Sequence, residues 1–239
     1  GFKEDIVHYH GANYSGLVAL VLIRFIHRDF KLYFTIHGEG YVSRLFNSSI
    51  KRKIITACLS KLDCIFVGDT HLLKQLKGIG LDGSNVKVID AFLPPTENEK
   101  KGMTAQLSDI FNLSGKVITA NAYNIDLLPE GGDLYGLHIM SSLAKQLNKM
   151  NFDFQMIILI AHINNQDYIH NLFSTIKNVH IISDNAVSGW EVISESDLMI
   201  RPTSTDANAI SMKEALMFNV DVIASDVVPR YEGVVTFKY

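Results

Sequence analysis

The sequence lacks a hydrophobic run long enough to cross a membrane. Its longest apolar run, Leu17 to Ile23, stops at Arg24, whereas a span needs roughly 18–20 apolar residues. With no recognisable signal peptide either, we expect a cytoplasmic protein. Cysteine is scarce: Cys58 and Cys64 are the only two among 239 residues, which excludes a disulfide-rich scaffold and predicts two small buried apolar side chains.

The sequence also lacks a surplus of positive charge. Its formal net charge is −3, which argues against a nucleic-acid-binding surface. No set of Cys and His has a metal-ligand spacing, which argues against a metal. We also expect no cofactor. Residues 42–55 mix basic and apolar side chains at helical spacing. This pattern fits either an amphipathic helix packed on a sheet or a peripheral contact with a membrane surface.

Apolar runs of strand length alternate with segments of helical period, which predicts an α/β protein built on parallel sheets. The predicted strands are Ile6–His8, Leu32–Ile36, Cys64–Val67, Val86–Ile89, Val117–Ala120, Met156–Ile160, Val179–Ile182, Leu198–Ile200 and Val222–Ala224. The predicted helices are Ser15–Arg28, Val42–Leu62, His71–Lys77, Thr104–Phe111, Leu137–Met150, Asp167–Ile176 and Val187–Glu195, with one more starting near Ser211. The proline-rich, charged stretch Leu93–Gly102 predicts a linker, with bounds 96–115, between two Rossmann-like halves, 1–95 and 116–239.

The most informative motif lies between Arg201 and Asp226. It predicts a strand end, a polar loop, a short helix and another strand. Asp206 and Glu214 are two acids with seven residues between them, the first on the loop and the second in the helix. A helix start attracts anions such as phosphate. Carboxylates beside such a place suit the hydroxyls of a sugar and a ribose, so the motif suggests a nucleotide-sugar site.

A simpler interpretation of the same residues is a capping box. Ser211 would cap the helix while Glu214 reaches back to the cap N–H. Asn219 would then be an ordinary left-handed helix stop. The two interpretations are compatible, because a capping Glu lies beside whatever occupies the helix start.

The motif resembles the acid-x7-acid signature of retaining glycosyltransferases of the GT-B fold, as in family 4 members that assemble bacterial capsular and surface polysaccharides. That family usually has Glu where this chain has Asp206, and Gly-x-Pro where it has Asn219–Asp221. Supporting segments are Asp5–His10, Phe34–Gly38, Val88–Pro95 and Asp133–Leu137. The resemblance implies a GT-B-like fold in which 1–95 is part of the acceptor-side domain and 116–239 is the nucleotide-sugar-binding domain, both incomplete.

The resemblance also implies roles for individual residues. His37, Asp206 and Glu214 would be catalytic: His37 near the transferred sugar, Asp206 on sugar hydroxyls, Glu214 on ribose hydroxyls. The substrate-binding candidates, which are the loop amides and neighbouring polar groups, are Gly38, Arg201, Thr203, Ala207, Asn208, Ala209, Ile210, Ser211 and Lys213.

One departure from the family concerns the leaving diphosphate. Members usually carry Lys where this chain has Tyr135, before Gly136. Either catalysis is absent, or Arg201 or Lys213 supplies the charge. We expect Arg201 to be the main cation; the alternative is that it braces the loop by pairing with an acid such as Asp226.

These observations predict a hexosyltransferase-type glycosyltransferase that takes a UDP- or GDP-sugar as donor. The acceptor would be a polysaccharide or a lipid-linked oligosaccharide, at the inner face of the membrane. The alternatives are a sugar-nucleotide epimerase of the same fold and a non-catalytic relative that binds a nucleotide or a partner. We expect these 239 residues to have little or no transfer activity by themselves.

Overall fold

The computed structural model describes residues 6–10, 13–27, 29–36, 39–46, 48–68, 70–89, 92–183, 187–204 and 209–239. The chain divides into two compact units, Gly1–Ala91 and Phe92–Tyr239. Each is an α/β unit built on a parallel sheet, as the strand and helix pattern predicts. Within the described ranges, no helix has both the length and the hydropathy that a membrane span requires.

The first unit contains a four-stranded parallel sheet in the order β1-β2-β3-β4. Its strands are β1 Ile6–Tyr9, β2 Lys31–Ile36, β3 Cys64–Val67 and β4 Val86–Val88. Its helices are α1 Tyr14–Ile26, α2 Glu39–Phe46, α3 Ser49–Leu59 and α4 Thr70–Gly78.

The core of the first unit lies on one face of its sheet. Along β2, Leu32, Phe34 and Ile36 are buried, while the residues between them are less so. All four helices bury apolar side chains in the same cluster as these three residues. Both cysteines are free thiols: Cys64 is buried, as predicted, whereas Cys58 is half-buried and packs against this cluster.

The helix predicted over Val42–Leu62 is wrong in one respect, because two helices, α2 and α3, occupy this region. Ser48 has an extended backbone, with φ −149° and ψ 112°, and its hydroxyl accepts the N–H of Lys51 at 3.4 Å. A serine in this conformation starts a new helix rather than continuing the previous one. The apolar periodicity runs across the break and hides it.

The second unit contains a six-stranded parallel sheet in the order β10-β9-β8-β5-β6-β7. Its strands are β5 Lys116–Ala122, β6 Phe154–Ile160, β7 Val179–Ile182, β8 Leu198–Arg201, β9 Asp221–Ser225 and β10 Val235–Phe237. Its helices are α5 Ala105–Phe111, α6 Leu137–Lys149, α7 Gln166–Phe173, α8 Gly189–Ser194 and α9 Ile210–Met217, with a 3₁₀ turn at Glu97–Glu99.

The central strand β6 of the second unit is covered on both faces. Met156 and Ile158 pack in one cluster with α6 and α7. Ile157, pointing the other way, packs in a second cluster with α5 and α8. A strand buried on both sides is expected to be mostly apolar, which is why β6 is an unbroken apolar run from Met156 to Ile160. Its one polar residue, Gln155, is buried and hydrogen-bonded.

The edge strand β10 was not predicted. It is three residues long, pairs in parallel with β9, and is largely exposed. So short and exposed a strand has neither a continuous apolar run nor a clear alternation to mark it.

Segment 96–115, predicted as a linker, falls within the second unit. Thr104 caps α5 by accepting the N–H of Leu107 at 3.3 Å. Leu107 and Ile110 of α5 are buried in the same cluster as Ile157. Packing of α5 therefore fixes part of this segment against the second sheet.

Glu191 of α8 ties the start of the same segment to that helix. Its carboxylate is buried and accepts the backbone N–H groups of Lys101 at 2.8 Å and Gly102 at 2.9 Å. Burial works to raise the pKa of Glu191, but these bonds, with a further one from Ser188, outweigh it and hold the pKa below its ordinary value. The ionised form of Glu191 is therefore the one that the folded chain favours.

Candidate functional site

The strand order of the second sheet reverses at β5. The chain runs from β5 to β6 and β7 on one side, then returns to place β8 on the other side of β5. In open parallel sheets, ligands bind outside the carboxyl ends of the strands at such a switch point. Here those ends carry Asn121 of β5 and Arg201 of β8.

Arg201 joins the two strands at this switch point. Its Nη1 donates to the backbone carbonyl of Asn121 at 3.1 Å and to the Oδ1 of the same residue at 2.8 Å. The guanidinium carbon lies 5.4 Å from the centre of the Tyr135 ring. Arg201 is 7% exposed. Asp226, the predicted partner in the brace alternative, instead accepts the N–H of Tyr239 at 3.2 Å.

Helix α9 begins without the predicted capping box. Its first residue is Ile210, its N-cap is Ala209, and no side chain caps it. Ser211 is buried and its hydroxyl donates instead to Oδ1 of Asn121 at 3.2 Å. The helix does end at a left-handed residue, Asn219, with φ 57°.

Glu214 lies one turn along α9 from Ser211, so both side chains lie on neighbouring positions of the same helix face. Glu214 is half-buried. Among the residues that the structure describes, its carboxylate has no hydrogen-bond or ion-pair partner. Burial raises the pKa of Glu214 above its ordinary value. The site therefore contains a partly desolvated acid that the described protein groups leave unsatisfied.

Lys213, a predicted substrate-binding residue, lies against aromatic rings. Its ammonium is 4.5 Å from the centre of the Tyr231 ring and 5.9 Å from that of Phe92. Both distances are within the range of cation–π attraction. Burial lowers the pKa of Lys213.

Arg230 is a further cation near the carboxyl ends of β8 and β9, and the sequence analysis missed it. It follows β9, and its Nε donates to the carbonyl of Ser225 at 2.8 Å. Its Nη2 donates to the hydroxyl of Ser225 at 3.0 Å and to that of Thr203 at 3.4 Å. Thr203, a predicted binding residue, is buried, whereas Arg230 is only half-buried. The only signal in the sequence is a basic residue in the loop that follows an apolar strand.

The start of α6 approaches the end of β8 closely. Gly136 is the N-cap of α6 and has a left-handed φ of 73°. A Cβ at this position would clash with the carbonyl oxygen of Pro202. Glycine is thus required both for the backbone conformation and for the close contact.

Behind Gly136 lies a second group that the sequence analysis missed. Asp133 is fully buried and accepts the backbone N–H groups of Leu137 at 2.9 Å and His138 at 3.1 Å. It also bonds Nδ1 of His138 and the hydroxyl of Tyr168, each at 2.9 Å. Asp133 therefore accepts the first backbone N–H groups of α6, which would otherwise be available to a ligand.

Several predicted residues lie outside the described part of the chain. They are His37, Gly38, Asp206, Ala207 and Asn208. Their roles stay predictions. Of the others, the structure brings Arg201 and Ser211 together on Asn121, and places Ala209, Ile210, Lys213 and Glu214 at or on the adjoining helix.

Comparison with known proteins identifies the fold. No protein-family model matches the sequence, and no curated protein sequence matches it. Solved structures do match. Anabaena Alr3699/HepE in complex with UDP-glucose has a TM-score of 0.65 at 16% identity, over 98% of this chain and 65% of that chain.

Two further structures show the same likeness. Sucrose-phosphate synthase from Thermosynechococcus elongatus has a TM-score of 0.61 at 14% identity, over 98% of this chain and 60% of that chain. S. aureus MnaA with UDP has a TM-score of 0.58 at 16% identity, over 93% of this chain and 58% of that chain. This chain thus spans less than two thirds of each of these structures. The likeness shows the fold: an α/β chain with two Rossmann-like parallel sheets, as in GT-B proteins.

Proposed function

We propose that this chain binds a nucleotide-diphosphate sugar and belongs to a glycosyltransferase that transfers the sugar, with retention, to a glycan or lipid-linked acceptor. The observation that carries this proposal is the carboxylate of Glu214, half-buried beside the switch point and without a described protein partner. The likeness to proteins solved with UDP-glucose and UDP supports a ligand of this class.

The chemistry of Glu214 suits a ribose. Partly burying a charged group without protein hydrogen bonds is unfavourable, so hydrogen bonds from a ligand would offset part of that cost. The two neighbouring hydroxyls of a ribose can donate to both carboxylate oxygens at once, in charge-assisted hydrogen bonds. Ser211, one turn earlier and fixed to Asn121, anchors this face of α9 to the switch point.

In the proposed reaction, the bond from the sugar anomeric carbon to the diphosphate oxygen breaks, and a bond to an acceptor oxygen forms. The acceptor proton passes to the departing diphosphate. The chain would bind and orient the donor, with Asp206 on sugar hydroxyls, His37 near the transferred sugar and the loop before α9 near the phosphates, as the family resemblance implies.

We propose that Arg230 is the cationic side chain that contacts the diphosphate, and that Arg201 braces β5 against β8. Arg201 is almost fully buried, with one nitrogen directed to Asn121, whereas Arg230 is half-buried at the same edge. Arg230→Met should lower affinity for UDP at least tenfold while changing affinity for uridine much less. If UDP and uridine affinities fall by the same factor, Arg230 does not contact the diphosphate, and Arg201, as the sequence predicts, is the next candidate.

The binding experiment is calorimetric titration of the chain with UDP, GDP and their sugar conjugates. Binding of at least one nucleotide diphosphate is expected, and weaker binding by Glu214→Gln. The matched control is Glu195→Gln, at the exposed end of α8. Failure of every nucleotide diphosphate to bind would refute the proposal.

An epimerase of the same fold is the second candidate. A solved structure from Listeria monocytogenes that bears the name of a UDP-N-acetylglucosamine 2-epimerase matches 92% of this chain, with a TM-score of 0.55 at 14% identity. The two activities differ in what they need, since only an epimerase converts the nucleotide sugar without an acceptor. Product analysis of the donor incubated alone distinguishes them.

A further inference from the structure

Asn121 presents a side-chain amide of fixed orientation at the switch point. Its Oδ1 lies 2.8 Å from Nη1 of Arg201 and 3.2 Å from the hydroxyl of Ser211. A guanidinium has donors only, so the amide atom that faces it must be the oxygen and not the nitrogen. A flipped amide would place Nδ2 against Nη1, which sets two donors against each other. The Nδ2 group of Asn121 is therefore held on the side turned away from Arg201.

This Nδ2 group is a donor that the protein leaves accessible. Asn121 is half-buried, and none of the described residues accepts a hydrogen bond from its Nδ2. Nor does Nδ2 belong to the buried side-chain atoms of the described chain that lack a partner. It is therefore open to solvent or to a ligand.

The side chain of Asn121 borders a hollow at the carboxyl ends of β5, β6 and β7. This hollow has a volume of about 180 Å³, and Leu159, Ile182 and Val187 contribute to its walls. Of the described residues that line it, Asn121 alone has a polar side chain. Arg201 belongs to β8, which flanks β5 on the opposite side from β6. Since Oδ1 is turned toward β8, Nδ2 lies on the side of the hollow.

An apolar hollow with one fixed donor favours a particular kind of ligand group. Apolar walls suit a flat ring, and the N–H of an amide suits a ring that carries an acceptor on its edge. Nucleobases differ at this point. Uracil, like thymine, and guanine carry a keto oxygen, whereas cytosine and adenine carry an amino group in the equivalent place.

We propose that Asn121 selects a nucleotide sugar with a keto base, by donating from Nδ2 to the keto oxygen. This selection presupposes the proposed function and adds the class of base to it. Arg201 and Ser211 are positioning residues here, because they prevent the amide from turning its oxygen toward the base. An amino group in the same place would set a donor against a donor and leave both unsatisfied.

The test is calorimetric titration of the whole chain with two pairs of nucleotides, UDP with CDP and GDP with ADP. Within each pair the ring size and the diphosphate are the same, and the keto oxygen of one member is replaced by an amino group in the other. The keto member of at least one pair should bind about tenfold more tightly or better, since the amino member leaves a donor unsatisfied.

Asn121→Asp replaces the donor by an acceptor of the same size. A carboxylate still accepts from Arg201 and Ser211, so the Tm should not fall. The new charge affects the diphosphate of UDP and of CDP equally, so the ratio of the two affinities reports on the base. That ratio should fall by about tenfold or more, because aspartate accepts from an amino group and repels a keto oxygen.

The matched control is Asn151→Asp. Asn151 is exposed and precedes β6, so it lies at the opposite edge of the sheet from the hollow. The substitution introduces the same charge, and the ratio of UDP to CDP affinity should stay that of the unmodified chain.

Equal affinity for both members of both pairs, or a preference for the amino members, would overturn the selection by Asn121 and leave the proposed function intact. A ratio that Asn121→Asp leaves unchanged, or that Asn151→Asp changes as much, would also overturn it. If Asn121→Asp loses its circular dichroism spectrum, the ratio measured on the unmodified chain still decides. Failure of every nucleotide diphosphate to bind would refute the proposed function, and the selection would fall with it.

Discussion

Replacing Glu214 by glutamine keeps the shape of the side chain and removes its charge. In the structure this carboxylate is half-buried and has no partner among the described residues. The substitution therefore breaks no described contact within the protein. What it removes is the ability to accept charge-assisted hydrogen bonds from a ligand.

A hydrogen bond to a charged group contributes about 1.5–3 kcal/mol. Glu214→Gln should therefore weaken UDP or GDP binding roughly 10- to 150-fold. Titration calorimetry on the variant, the unmodified chain and Glu195→Gln measures the loss. Glu195→Gln should bind like the unmodified chain.

Although Glu214→Gln should bind nucleotide more weakly, the stability of the unliganded variant should be slightly higher. Because burial raises the pKa of Glu214, the folded chain keeps this proton to a higher pH than the unfolded chain does. Ionisation thus favours unfolding, and stability is lost as the pH rises from the ordinary glutamate pKa through the raised one. Glu214→Gln should lack that loss and be slightly more stable at neutral pH, as urea unfolding would show.

The reasoning is wrong if Glu214→Gln lowers stability while leaving nucleotide affinity unchanged. That pair of results would mean that Glu214 supports the helix and not a ligand. Reduced affinity together with reduced stability would mean that the variant misfolds locally, and would equally remove the support for a ribose contact.

Three further substitutions test the architecture around the site. Arg201→Met should destabilise the protein by about 2 kcal/mol, a fall of about 4–8 °C in Tm, because it removes a buried bridge between strands; an unchanged Tm would contradict the brace. Gly136→Ala should destabilise it by more than Gly131→Ala, since both have positive φ but only the former meets the carbonyl of Pro202. Glu191→Gln should lower the free energy of unfolding at neutral pH by about 1.5 kcal/mol, as measured with urea. This difference between the variant and the unmodified chain should shrink as the pH falls through the lowered pKa of Glu191. A difference that stays constant with pH would contradict this.

The fold could be predicted because most strands are marked by their own residues. Strands β3 and β7 have the predicted bounds, and β6 is apolar without a break from Met156 to Ile160. Local pattern failed where a single polar residue decides the structure. Ser48 divides one apolar periodicity into two helices, and nothing in the pattern of apolar residues around it shows the break.

The site could be predicted only in part. The motif predicted the end of β8 and the start of α9 in the right order, since these are neighbours in sequence. The contacts that give the site its form link residues far apart, such as Arg201 and Asn121, which are 80 positions apart. Such a contact follows from the strand order, which brings β8 back beside β5, and not from the spacing of either segment.

The buried acids of the second unit give the strongest argument for where a ligand binds. Asp133 is fully buried and accepts four hydrogen bonds, from two backbone N–H groups, His138 and Tyr168. Glu191 is buried and accepts two backbone N–H groups. Both acids are thus satisfied by donors of the chain itself. Glu214 is the contrasting case within the described residues, and it lies on the helix attached to the switch point of the sheet. Its donors are therefore best sought outside the chain, in a molecule with adjacent hydroxyls.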